Sequence, residues 1–154
     1  MDEPREGWIA ERDAHTERWL CGDREAIACL RMLMQVVEAW DDIIDQDKPH
    51  SPERINEAFV CALYGLPALP FYARHAGHLL PLVLACVNAW HDSNALCTDE
   101  SRRVRNLAFH LRNMGLEFYI ALAFLTGGYD HMRAVSPEIR RFFCFESFED
   151  WEYA

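Results

Sequence analysis

Residues 38–48 read E-A-W-D-D-I-I-D-Q-D-K, five acids and one base in eleven positions, directly after an apolar run. Glu38, Asp41, Asp42 and Asp45 recur at i, i+3, i+4 and i+7, so at about 100° per residue they share one stripe of a helix. Two readings of that stripe are open. It is a solvated face, since Leu33, Val36, Trp40 and Ile43 point the other way and an amphipathic helix must put its charges somewhere. Or it holds a cation: short carboxylates one turn apart offer hard oxygen ligands to Mg²⁺ or Mn²⁺, with waters and substrate phosphates completing the shell. The placement pulls toward the second reading. Acids at a helix C-terminus oppose the macrodipole, like charges at i, i+4 repel, and Asp is a poor helix former beside Glu.

Two further stripes carry polar groups in apolar settings. Asn88, His91 and Asp92 form one, and His110, Asn113 and Glu117 the other. Glu117 precedes F-Y-I-A-L-A-F-L, where a buried carboxylate needs an arginine, a metal or a proton. Arg112, Arg74 or another core arginine is the candidate structural partner, and Arg112 or Arg74 the candidate phosphate contact. With Glu38, Asp41, Asp42 and Asp45, the acids Asp92 and Glu117 make up a candidate metal set. His91-Asp92, with His75 or His78 upstream and Asp130 downstream, leaves a phosphohydrolase of the HD type as a further option. There is no Gly-rich phosphate loop, nucleophile motif or Cys/His zinc pattern.

The elements expected to position these groups are all helical. A first amphipathic helix runs from Pro4 to Cys21 and ends at Gly22, a natural left-handed C′ residue. Asp23 caps a second through Asp45, with Cys29, Leu33, Val36, Trp40 and Ile43 on one face. Ser51-Pro52 opens a third, ending near Gly65-Leu66-Pro67. A connector with one helical turn after Pro70 leads to a fourth, His78 to Cys97, with Pro81 in its first turn. Thr98 caps a fifth that continues to Thr126 and halts at Gly127-Gly128. Ser136-Pro137-Glu138 opens a short last helix, and the tail is aromatic and acidic. With no alternating pattern and no linker, the expectation is an all-α, single-domain bundle of five main helices plus a short C-terminal one.

Length and composition set the outer limits. At 154 residues with 51% hydrophobic content the chain can bury a real core. Its formal charge of −10 argues against a sequence-independent grip on nucleic acid. Basic charge comes almost wholly from Arg, with Lys48 the only lysine. The six cysteines contain no C-x-x-C pair, and we read them as reduced thiols of a cytoplasmic protein. The segment M-D-E-P-R-E-G-W is too charged for a signal peptide. The apolar segments 79–90 and 118–125 are too short for a bilayer, so no membrane is expected.

The pentad D-D-I-I-D at Asp41, Asp42 and Asp45 resembles the aspartate-rich motif of class I isoprenoid synthases, an all-α family. That resemblance implies Mg²⁺ ligation by these three residues and ionisation of a prenyl diphosphate. The family's second metal motif has only loose counterparts here, at Asn88, His91 and Asp92 or at Asn113 and Glu117. More widely, W-D-D-I-I-D-Q-D-K-P, L-P-F-Y-A-R-H, the Trp90…Asn94 spacing and G-G-Y-D-H-M look like an uncharacterised family of small helical proteins of tailed bacteriophages. That likeness implies life in a bacterial host cytoplasm and supplies no activity.

Two functions follow as expectations. One is a Mg²⁺-dependent protein acting on a diphosphate-containing substrate, isoprenoid-synthase-like or nucleotide-pyrophosphohydrolase-like, with Arg112 or Arg74 on phosphate. The alternative is a non-catalytic acidic phage protein that binds a host protein, with Phe142, Phe143, Phe148 and Trp151 as an anchor or packed back on the bundle. A homodimer, through Trp8, Trp19 or the tail aromatics, is a third kind of partner.

Overall fold

The computed structural model describes residues 7–45 and 51–152, apart from the Asp45 and Glu152 side chains. Among them every regular element is helical and there is no strand. In order these are α1 (Trp8–Trp19), α2 (Arg24–Asp45), α3 (Pro52–Val60), a π-helical turn (Cys61–Gly65), α4 (Leu66–Ala68), α5 (Pro70–Leu96), α6 (Arg102–Arg112), a 3₁₀ turn (Asn113–Gly115), α7 (Leu116–Phe142) and α8 (Phe148–Glu152). None is long and apolar enough to cross a membrane.

Local chemistry sets the helix starts that the sequence marks. Gly22 lies at φ 70°, on the left-handed side that a helix stop favours. The Asp23 carboxylate accepts hydrogen bonds from the backbone N–H groups of Glu25 (2.9 Å) and Ala26 (3.0 Å), capping α2. Ser51 Oγ accepts from the Arg54 N–H at 3.3 Å, with Pro52 at the first helical position of α3. The expected start of the first helix at Pro4 lies outside the described residues.

Elsewhere the boundaries move. The fourth helix begins at Pro70, so Pro81 sits in the interior of α5. Its missing N–H forgoes one bond, to the Gly77 carbonyl. The π turn lies directly ahead of Pro67, which crowds the Leu63 carbonyl and cannot donate to it. The expected fifth helix is two: Thr98 falls before α6, and the 3₁₀ turn separates α6 from α7. There Asn113 Nδ2 donates to the Phe109 carbonyl at 3.2 Å, satisfying an acceptor at the end of α6. The expected helix start at Ser136-Pro137 lies inside α7 instead.

The α7 segment is a hairpin. Gly128 has φ 79° and ψ −175°, and Glu117 Oε1 lies 2.6 Å from Arg140 Nη2. A straight helix would hold those residues about 35 Å apart at about 1.5 Å per residue, so the arms on either side of Gly128 fold back on each other. Both arms feed one buried cluster: Phe118, Tyr119 and Leu122 from the first, Val135 and Ile139 from the second. Trp19 and Leu20 of α1, Cys29, Leu30 and Leu33 of α2, and Phe71 and Leu79 of α5 complete it. Next to it α5 and α6 pair through Ser93 Oγ, which donates to the Ala108 carbonyl at 2.8 Å with Ser93 fully buried.

Candidate functional site

The acidic stripe of α2 does not converge on one point. Asp41 Oδ1 accepts the indole N–H of Trp90 at 2.8 Å and lies 3.9 Å from Arg112 Nη2. Asp42 Oδ2 accepts from Arg54 Nη2 of α3 at 2.7 Å. Glu38 lies at a cleft between α1, α2 and α7. Successive positions rotate by about 100°, so neighbours on the stripe meet different helices once α2 is packed on several sides. The Asp45 side chain lies outside the described residues, as do Asp47 and Lys48. Among the described residues no group of three or more His, Cys, Asp or Glu side chains is placed to hold a metal ion.

The other candidates separate further. Asp92 Oδ2 accepts from Asn88 Nδ2 at 3.0 Å within α5, on an exposed face. Glu117 is partly buried and meets Arg140, a cation from the far arm of the hairpin rather than Arg112. Arg74 pairs with Glu25 Oε2 at 2.6 Å and lies 5.9 Å from the Phe71 ring. Glu25 is sixteen residues before Asp41, about 24 Å along α2, so Arg74 does not join the aspartates. Of the predicted set, the structure brings together Asp41 and Arg112. Around them Trp40 and Trp90 stand 4.3 Å apart centroid to centroid, with the His91 ring edge-on to both.

The tail aromatics pack inward. Phe142 and Phe143 lie against Trp19, and Phe143 also against Tyr119. Phe148 and Trp151 pack on Phe109, with the Arg102 guanidinium 4.9 Å from the Phe148 ring. Trp19 is fully buried, which removes it as a surface for pairing.

Two features were not singled out from sequence. The first is an apolar face on α3 and the π turn. Phe59 and Val60 are each 60% exposed, Leu63 75% and Tyr64 73%. Ala58 of α3 is buried and Ile55 partly so, which leaves those four on the outer side. Ile43 and Ile44 at the end of α2 are also exposed. The available signal was the four-residue spacing from Val60 to Tyr64 and from Phe59 to Leu63, beyond what one buried face needs.

The second is the cleft at Glu38, about 150 Å³, with Arg12, Asp13, Thr16, Arg31, Gln35 and Tyr119 among its walls and Leu30 and Met34 beneath. Asp13 is 3.4 Å from Arg12 Nη2 and 3.2 Å from Arg31 Nη2. Tyr119 is 4% exposed, and burial pushes its phenol up to about 12, with Glu38 and Asp13 adding to the shift and Arg12 opposing it. These residues lie on three helices, and no local pattern joins them.

Compared with protein families, curated proteins and solved structures, the chain matches none.

Proposed function

We propose that this is a non-catalytic binding protein, which docks a helix of a second protein on the face formed by Phe59, Val60, Leu63 and Tyr64. The exposure of those four side chains carries the reading: a contiguous apolar helix face left in water marks an interaction surface. Charge selects the partner. Glu53 and Glu57 precede Val60 and Tyr64 on one stripe that runs along α3 into the π turn, in a chain of net charge −10. A second copy would bring like charge to the same rim, whereas an amphipathic helix flanked by Lys or Arg complements it. In the phage setting implied by the sequence, the partner is a host cytoplasmic protein and the chain works as a single helical domain.

The test places a photo-cross-linking amino acid at Leu63, with Thr98 as the exposed control, in bacterial cytoplasm. The expected result is a discrete adduct at Leu63 alone. The cross-linked segment, made as a peptide, should bind the purified protein, weaken with salt, and lose about tenfold or more in affinity to Leu63→Glu. Equal adducts at both positions, or an adduct of the chain only with itself, overturn the reading; the latter identifies a homodimer.

A second reading keeps one supporting observation. Arg112 beside Asp41 and Arg54 beside Asp42 are where a diphosphate would meet guanidinium groups if Asp41, Asp42 and Asp45 held Mg²⁺ or Mn²⁺. Thermal melts with chelator and with millimolar metal decide it. Binding to the folded chain raises the wild-type midpoint, and Asp42→Asn abolishes the rise. Identical midpoints in metal and chelator reject this reading.

A further inference from the structure

The cleft between α1, α2 and α7 has no part in the docking face, and its chemistry is of another kind. It gathers two guanidiniums, Arg12 and Arg31, and two carboxylates, Asp13 and Glu38. In a chain of −10 this is a locally balanced spot. Asp13 bridges the two arginines and holds both in place, and each guanidinium has five donors, so most remain to offer. The Trp8 ring lies 5.1 Å from the Arg12 guanidinium carbon, a further restraint on that side chain.

The acceptor side is unfilled. Glu38 makes no ion pair among the described residues. Tyr119 is 4% exposed and lines the cleft, yet its hydroxyl makes no hydrogen bond among the described residues. Among the described residues the buried polar side-chain atoms without a partner are the indole nitrogens of Trp8 and Trp19, so the Tyr119 hydroxyl opens on the cleft, where its oxygen can accept a hydrogen bond.

We propose that this cleft binds a small amino-acid-like zwitterion, its carboxylate on Arg12 and Arg31 and its ammonium between Glu38 and the Tyr119 hydroxyl. Size agrees: a cavity of about 150 Å³ takes roughly six heavy atoms, the count of alanine. A locally neutral site discriminates against lone ions, because either charge of the ligand alone would leave the opposite pole of the cleft unmatched. The residues come from both helices that flank α2, so a bound molecule would also tie α1 to α7.

Amide NMR titration of the ¹⁵N-labelled protein tests this, with L-alanine as the probe and acetate and methylammonium as single-charge controls. Alanine should shift the amides of residues 12–16 and 35–38 saturably, while neither control saturates. Tyr119→Phe deletes only the hydroxyl and should weaken alanine about tenfold or more. Glu38→Gln, at an exposed position that cannot disturb the core, should do the same. Failure of alanine to saturate, an unchanged affinity in both variants, or acetate binding as tightly as alanine overturns the proposal. The last result would leave an anion contact at the arginines. None of these outcomes bears on the docking face, whose failure is read separately at Leu63.

Discussion

Asp41 illustrates how a carboxylate that suits metal chemistry is put to other use. Its Oδ1 accepts from the indole of Trp90, which is 8% exposed, and Arg112 stands nearby. Asp41→Ala strips a buried donor of its acceptor, and should cost about 1–3 kcal/mol in urea unfolding. Asp41→Asn retains an oxygen acceptor and should cost clearly less; equal losses would mean that charge, not the indole contact, is what matters. Asp42 differs because its partner Arg54 is half exposed, so Asp42→Asn should change stability by less than about 1 kcal/mol in metal-free buffer. The residue types and their shared stripe were legible in the sequence. Which cation or indole meets each acid was not, because that depends on three other helices.

Among the elements, the α7 hairpin turns on one residue. Gly128, at φ 79° and ψ −175°, occupies a region open essentially to glycine alone. Gly128→Ala should therefore lose about 1–3 kcal/mol in thermal or urea unfolding despite the open space around a Cβ there. A neutral Gly128→Ala would mean that the turn relaxes into another geometry. Gly127 is held for a different reason: a Cβ there would collide with the His131 ring. His131 Nε2 lies 2.8 Å from the Trp19 carbonyl, tying the second arm to the last turn of α1. The Gly-Gly stop was readable from composition. That the chain folds back and resumes a helix at once was not, since Ser136-Pro137 offered a stronger local start signal. Val135 and Ile139 override it by burying their side chains in the common core.

For the molecule as a whole, the thiols set the alkaline behaviour. Burial pushes the Cys29 and Cys86 thiols up to about 11, with Glu117 adding to the shift at Cys86. An unfolded thiol ionises near about 8.5, so between about 8.5 and 11 the unfolded chain holds fewer protons than the folded one. Stability is then fully present below that window and falls as pH rises through it. Urea midpoints at about pH 8 and about pH 10 should show the fall, and Cys86→Ala should flatten it. A slope unchanged by that substitution would assign the fall to other groups. In the same experiment Cys21 and Cys144, both exposed, should react with an alkylating agent well before Cys29 and Cys86.

The sequence by itself determined the helical class, the caps at Asp23 and Ser51, and the break at Gly127-Gly128. Each rests on chemistry within a few residues: apolar periodicity, a side-chain oxygen reaching an N–H two or three positions on, or a backbone angle only glycine takes readily. Tertiary structure decided the rest. Asp41 with Trp90 and Glu117 with Arg140 are partnerships between residues far apart in the chain, and Arg12, Glu38 and Tyr119 meet at one cleft from three helices. The same packing buried Trp19 while leaving Leu63 and Tyr64 in water. A helical pattern states which side chains share a face, but which face is covered, and by what, follows only from how the helices pack.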